Sequence, residues 1–365
     1  MAAVTPVTLG FPTNQNISNS SDYDYNYDYN YDGKEPCDYV NFKPQGLVRI
    51  YSIFFTVGLL GNSVVVWVIS CGARLRSMTD VCLLNLAIAD ILLSCSLPFL
   101  VYQAYDQWVF GETICKIVLI TYNIVFYSGI FFVTLMSIDR YLAIVHAVYA
   151  TRIRTQQFGI AAALVTWVIG VMASFPDILY LKQDSNGSVT HCFPEYPAVG
   201  NNHHFWRVLG LFKMNILGLI IPLVIMGFCY SQIILRLLYS PSSKRQTIQL
   251  VVTVVVVFFC CWVPYNITVF FKALELLDLY TSCEASKSIH VALQVTEIIA
   301  YLHTCLNPFL YVFVGRKFRQ HLWKLIDKVP CHPCRMISVI LPQDRLRRSS
   351  AMSQTSSLDE RSTGI

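Results

Sequence analysis

IYSIFFTVGLLGNSVVVWVISCGA, running from Ile50 to Ala73, contains no charged side chain. Roughly 20 apolar residues suffice for a helix to cross the hydrocarbon of a bilayer. A helix also satisfies its backbone polar groups internally, as lipid demands. The stretch therefore reads as a membrane span. Uncharged runs recur at Ile117–Ile138, Thr155–Pro176, Met214–Leu235 and Gln246–Phe271. Val81–Tyr105 and Ser288–Val314 each hold one charge, Asp90 and Glu297. The count is seven spans, and an odd count puts the two ends on opposite sides. Over the 365 residues 55% are hydrophobic and 13% charged, against about 25% charged in a soluble domain. The expected fold is an all-α membrane protein, a seven-transmembrane helix bundle.

Orientation follows from the basic residues flanking the spans. On the N-terminal side lie nine, from Lys34 to Lys287; on the other side, as far as Lys328, lie thirteen in shorter loops. The bias favours a cytoplasmic C-terminus and an extracellular N-terminus. Acids are more lopsided, fourteen on the outer side against three on the inner. They carry little weight for topology, so their excess concerns partners: an acidic outer face and a basic inner rim, the latter suited to anionic lipid headgroups. The first 46 residues lack the apolar core of a cleavable signal peptide, so the first span is expected to direct insertion.

Four segments result. Residues 1–46 form an acidic, tyrosine-rich extracellular tail, 47–314 the bundle, 315–328 a short amphipathic C-terminal helix, and 329–365 a cytoplasmic tail. In GRKFRQHLWKLIDK (315–328), Phe318, Leu322, Leu325 and Ile326 share one face opposite basic residues, as in interfacial helices. Cys331 and Cys334 follow, a palmitoylation candidate; with no second pair, zinc is not expected. The polar end offers Ser349, Ser350, Ser353, Thr355, Ser356 and Ser357 for phosphorylation. Asn16, Asn19 and Asn186 head glycosylation sequons in outer segments; the sequon at Asn266 lies within a span and is rejected. Of thirteen cysteines, Cys37, Cys115, Cys192 and Cys283 fall outside, where oxidation is expected. Four cysteines allow three pairings.

Polar groups inside hydrocarbon are costly and mark function by default. Asp90 (LNLAIAD), Asn62 (LLGNSVV) and Asn307 (LNPFLY) must face the interior. Asp139-Arg140-Tyr141 closes the third span, where Arg140 can pair with Asp139 or turn to a partner. Prolines at 98, 176, 222, 264 and 308 are expected to break or kink their helices.

Together Gly61-Asn62, the LxxAD ending at Asp90, Cys115, Asp139-Arg140-Tyr141, Trp167, Pro222 with Tyr230, CWVPY (261–265) and NPxxY (Asn307, Pro308, Tyr311) resemble a rhodopsin-like G-protein-coupled receptor. They occur in the family's order and cover Leu47 to about Lys328. The seventh span lacks the lysine an opsin needs. Tyr122 stands where amine receptors carry an aspartate. DRYLAIVHAVYA (139–150), QWVFGETIC (107–115), SLPF (96–99), the VTE ending at Glu297 and LHTCLNP (302–308) resemble chemokine receptors, most closely the C-C branch.

That resemblance implies two disulfides, Cys115–Cys192 and Cys37–Cys283. It implies a basic chemokine as ligand, held by pocket residues Tyr51, Tyr122, Phe126, Tyr265 and Glu297. Leu100, where the family often has tryptophan, and Ser96, where it usually has threonine, depart from the pattern and predict a wider, less aromatic minor subpocket. The tail segment SDYDYNYDYNYD (21–32) alternates Tyr23, Tyr25, Tyr27, Tyr29 and Tyr31 with acids and amides. Alternation is a strand pattern, yet Asp and Asn are poor strand residues. Tyrosines beside acids resemble a tyrosine-sulfation substrate, and an anionic strip suits Arg and Lys clusters. The resemblance further implies a switch running through Trp262 and Phe258 to Asn307, Tyr311 and Tyr230. That switch releases Arg140 from Asp139, coupling to a Gi-class heterotrimeric G protein, with calcium signalling and chemotaxis. Receptor kinases and arrestin would act on the C-terminal tail. An atypical scavenging chemokine receptor is the near alternative, although the intact DRYLAIV favours signalling. A transporter or channel is the distant one, without the repeated halves such proteins show. No enzyme, metal, cofactor or nucleic-acid constellation is present in the sequence.

Overall fold

In a computed structural model the described residues are 44–73, 77–175, 177–186, 189–194, 202–239, 245–279, 282–314 and 316–326. Helix α1 (Pro44–Trp67) passes into a π-helical stretch, Val68–Ala73. Then come α2 (Met78–Tyr105), α3 (Gly111–Val145), a short α4 (Ala147–Ile153) and α5 (Gln156–Ala173). A 3-10 turn (Asp177–Tyr180) leads into β1 (Leu181–Asn186) and β2 (Val189–Pro194). α6 (Asn202–Asn215) and α7 (Ile221–Tyr239) are joined by a π-helical turn, Ile216–Ile220. α8 (Arg245–Leu276), α9 (Cys283–Val314) and α10 (Arg316–Ile326) complete the described chain. Seven segments are long and apolar enough to span a membrane: α1, α2, α3, α5, α6 with α7, α8 and α9.

Packing, not hydrophobicity, orders helices in lipid, because the acyl chains are as apolar as the side chains. α3 is the central post, 67% of its most apolar stretch being buried, against 28% for α5 at the periphery. On α5, Leu164, Val168 and Met172 are exposed, as a lipid-facing stripe requires. Small residues allow the close approaches. A methyl group on Gly61 would lie 2.8 Å from Pro308 Cγ, and one on Gly159 the same distance from the Met78 backbone. Two helix starts are capped by short polar side chains. Ser77 and Asp80 form a reciprocal capping box at α2, and Thr155 Oγ1 accepts from the Phe158 N–H at α5.

Three features differ from the sequence expectations. The connection between the fourth and fifth spans contains an antiparallel hairpin, β1 on β2, with Gln183 opposite Cys192. Its β2 edge is held by groups from the end of α2 and the turn after it, standing in for a further strand. Gln103 gives Nε2 to the Cys192 carbonyl and accepts from the Cys192 N–H, both at 3.2 Å. Gln107 Oε1 accepts from the Thr190 N–H, and the Trp108 N–H donates to the Thr190 carbonyl at 2.7 Å. The fifth span also starts earlier than the uncharged run Met214–Leu235: α6 begins at Asn202, and the charge of Lys213 within it is matched by Asp177. Finally, Pro98, Pro264 and Pro308 lie within continuous helices, and Pro222 is the second residue of α7. Freed backbone groups can be re-satisfied by neighbours, which lets a membrane helix continue. Pro176 lies outside the described residues.

Candidate functional site

Two polar clusters occupy the bundle, joined by a column of aromatic rings. The first lies toward the hairpin end. Glu297 of α9 is 7% exposed. One helical turn on, Tyr301 donates to Glu297 Oε1 at 3.3 Å, and the Tyr301 hydroxyl also shares a short hydrogen bond with that of Tyr122 on α3. Tyr51 of α1 meets the Tyr301 ring edge-on at 5.5 Å. Tyr265 of α8 is fully buried, and its hydroxyl has no hydrogen-bond partner among the described residues. No basic side chain among the described residues forms an ion pair with Glu297. The site thus holds one carboxylate hydrogen-bonded by a tyrosine and ringed by phenols. A buried carboxylate in that setting favours a cation.

Below it, Phe126 packs edge-on against Trp262 at 4.9 Å. Trp262 in turn contacts Tyr265, Phe258 and His303 at centroid distances of 6.0, 5.9 and 5.2 Å. His303 Nε2 lies 3.7 Å from Asp90 Oδ1, and Asn307 Nδ2 donates to Asp90 Oδ2 at 2.8 Å. Asn62 Nδ2 donates to the Thr304 carbonyl at 3.0 Å and to the Gly58 carbonyl at 2.9 Å. Tyr311, three residues beyond Pro308, is buried and stacks at a tilt on Phe318 of α10, 6.1 Å away.

The second cluster sits at the opposite end of α3. Asp139 is wholly buried and binds two guanidinium groups: Arg140 Nη2 at 2.9 Å, and Arg154 through Nε at 2.6 Å and Nη2 at 3.1 Å. Thr79 Oγ1 of α2 donates to the same carboxylate at 2.7 Å and accepts from Arg140. Tyr230 of α7 approaches through Ser137 at 3.4 Å, while Tyr141 turns to His146 at 3.0 Å. The disulfide Cys115–Cys192 ties α3 to β2.

Residues 61–311 match the family model described as "7 transmembrane receptor (rhodopsin family)". The human C-C chemokine receptor type 4 is 45% identical over 314 residues, covering 84% of this chain and 86% of that protein. The guinea pig (Cavia porcellus) C-C chemokine receptor type 3 is 41% identical over 88% of this chain and 90% of its own. The human C-C chemokine receptor type 8 is 38% identical over 96% and 98%. The chain is a chemokine receptor of the rhodopsin family.

In this chemokine receptor four of the five expected pocket residues within the bundle, Tyr51, Tyr122, Tyr265 and Glu297, fall into one cluster, and the fifth, Phe126, lies below it against Trp262. The residues expected to form the switch fall along the aromatic column and around Asp139. Leu100 and Ser96 are both buried in α2, and Ser96 turns its hydroxyl to the Leu93 carbonyl. Cys115–Cys192 is as the resemblance implied. Cys283 is disulfide-bonded, and its expected partner Cys37 lies outside the described residues. So do Tyr23, Tyr25, Tyr27, Tyr29, Tyr31, Asn16, Asn19, Cys331, Cys334 and the six phosphorylation candidates. Asn186 is the last residue of β1, at the hairpin's turn.

Four members of the two clusters and the column between them escaped sequence reading. Tyr301 sits four residues after Glu297 and His303 four before Asn307, so each lies one turn away on the same helix face. That spacing is a signal that could have found them. Thr79 and Arg154 carry no such signal. They reach Asp139 from other elements, and Arg154 does so across a loop.

Proposed function

We propose that this chain is a plasma-membrane receptor of the C-C type, with an extracellular N-terminus, that binds a basic chemokine and activates a Gi-class G protein, giving calcium signalling and chemotaxis. The observation that carries the reading is Glu297: a buried carboxylate, without a basic partner among the described residues, set among Tyr51, Tyr122, Tyr265 and Tyr301. The acidic tail, with its five tyrosines sulfated, captures the folded body of the chemokine. The chemokine's N-terminus, carrying an ammonium group, then enters the bundle and pairs with Glu297.

A ligand shifts a two-state equilibrium only by binding the two states differently. Occupation at Glu297 draws on Tyr301 and Tyr122, and the adjoining rings of Phe126, Trp262 and Phe258 pass the change to His303, Asp90 and Asn307. At the cytoplasmic end Arg140 leaves Asp139, and Tyr230 and Tyr311 help to hold the opened cavity for the G protein. Receptor kinases and arrestin act afterwards on Ser349, Ser350, Ser353, Thr355, Ser356 and Ser357. The relatives' names, which all specify C-C chemokine receptors, support the ligand class.

The test is a panel of basic chemokines applied to cells expressing the full chain, with cAMP and calcium as readouts and Gi blocked in a parallel arm. At least one chemokine should suppress cAMP and release calcium, and both responses should vanish with Gi blocked. Uptake of chemokine with no such response would replace this reading with a scavenging receptor. Chemokine-independent current in patch-clamped cells would replace it with a channel.

A further inference from the structure

We propose that Arg154 is a standing counter-ion for Asp139, a positioning residue that keeps the carboxylate paired when Arg140 leaves and so lowers the cost of opening the cytoplasmic end of the bundle. The inference rests on the reading of Asp139 and Arg140 as the switch.

The geometry distinguishes the two arginines. Arg154 grips both carboxylate oxygens, Nε on Oδ1 at 2.6 Å and Nη2 on Oδ2 at 3.1 Å, and its Nη2 also reaches Thr79 Oγ1 at 3.1 Å. Forked arginine–carboxylate pairs of this kind are the stronger and more directional ones. Arg140 holds only Oδ2, through one nitrogen at 2.9 Å, and its buried Nε has no hydrogen-bond partner among the described residues. Arg154 is also anchored by its backbone. It caps α4, its N–H donating to the Ala150 carbonyl at 2.9 Å, and the next residue, Thr155, caps α5. The tightly held cation therefore stands on a fixed turn. The other, held through the single nitrogen Nη2, is the one placed to move.

The energetic consequence follows from the burial of Asp139, which has no exposed surface. Withdrawing the sole cation from a buried carboxylate strands an uncompensated charge or forces it to take up a proton. With Arg154 in place, Arg140 departs and Asp139 remains paired and charged. The other groups facing the pair are Thr79 and Cys82 from α2 and, beside Arg140, Tyr230 from α7. None of them is a cation. No substitute for Arg154 therefore exists among them.

The experiment uses the full chain in lipid nanodiscs, with spin labels at the cytoplasmic ends of α2 and α8 and the open-state fraction read from their separation. The variants are Arg154→Gln, Arg154→Lys, Asp139→Asn and the double variant Arg154→Gln/Asp139→Asn, each over pH 5.5 to 8. At neutral pH Arg154→Gln should lower the open fraction by at least about tenfold, because it strands one buried charge. The loss should recover as the pH falls, since Asp139 can then take a proton, a dependence the parent lacks. In the Asp139→Asn background Arg154→Gln should change the fraction by less than about twofold, because no charge remains to compensate. Arg154→Lys, which keeps the charge and loses the fork, should lie between and carries the test if Arg154→Gln does not fold. An open fraction raised by Arg154→Gln, an equal loss in the Asp139→Asn background, or a loss without pH dependence would overturn the proposal. Gi nucleotide exchange is followed on the same variants. If separations follow the expected order while exchange stays flat, the counter-ion role stands and the reading of Asp139–Arg140 as the G-protein switch fails.

Discussion

Asn62 Nδ2 donates to the Thr304 carbonyl oxygen at 3.0 Å, the carbonyl four residues before Pro308 that a helix would normally pair with the N–H proline lacks. The neighbouring Gly61 has no side chain to keep the Pro308 ring away. One turn of α1 thus supplies both the space for the ring and the donor for the carbonyl. Asn307, next to the proline, is tied to Asp90 of α2 at 2.8 Å. Three helices meet beside Pro308, where the Thr304 carbonyl takes its donor from Asn62 and Asn307 donates to Asp90.

Asn62→Ala should lower the thermal stability of the purified receptor by about 1–3 kcal/mol, the cost of a buried carbonyl left without its donor. Pro308→Ala restores the backbone N–H, so in that background the same substitution should cost less than half as much. Equal losses in both backgrounds would refute the assignment of Asn62 as the donor that replaces the missing one.

Lys213 and Asp177 form a largely buried ion pair, their side chains 15% and 2% exposed. The ammonium also donates to the Phe175 carbonyl at 2.9 Å and lies 5.8 Å from the centre of the Tyr127 ring. Lys213→Met leaves Asp177 buried without its cation. Breaking a buried pair costs about 3–5 kcal/mol, reduced to about 2 kcal/mol by the partial exposure of Lys213. Adding Asp177→Asn should recover at least half of the lost melting temperature. A double variant no better than Lys213→Met would show the pair to be unimportant to the junction of hairpin and α6.

Tyr301→Phe removes the hydroxyl that joins Tyr122 to Glu297, whereas Tyr122→Phe leaves the bond from Tyr301 to Glu297 in place. Chemokine potency in a Gi exchange assay should fall by about tenfold for Tyr301→Phe, the worth of a hydrogen bond to a charged group. It should fall less for Tyr122→Phe. The reverse order would remove Tyr301 from its bridging place.

Replacing Tyr23, Tyr25, Tyr27, Tyr29 and Tyr31 together by phenylalanine should slow chemokine association, measured by stopped flow. The difference from the parent should shrink as salt is raised above about 0.5 M, since steering by exposed charge is screened. An association rate unchanged at low salt would remove the tail from the encounter step.

Much of this architecture was legible from charge alone. A run such as Ile50–Ala73 needs no knowledge of its neighbours to be read as a span. Asp90 and Asn307 could be expected to face inward because hydrocarbon tolerates neither outside. Glu297 stood out for the same reason. The hairpin was not legible: its exposed edge is satisfied by Gln103, Gln107 and Trp108, which come from a different span and the turn after it. The start of α6 was hidden because a lysine ends an apolar run in sequence, while in space its charge is cancelled by Asp177. Arg154 looked like one basic residue among thirteen on the inner rim. Only the packing of α3 against the turn between α4 and α5 brings it onto Asp139.

The central claim is that capture and activation are separate events, with Glu297 serving the second. Glu297→Gln keeps the shape and removes the charge. Chemokine binding to intact cells and chemokine-stimulated Gi exchange in membranes from the same cells should be measured side by side on this variant. Binding should weaken by less than about threefold while signalling potency falls by at least about tenfold, the effect of losing one buried charge pairing. Equal losses of binding and signalling would contradict the account.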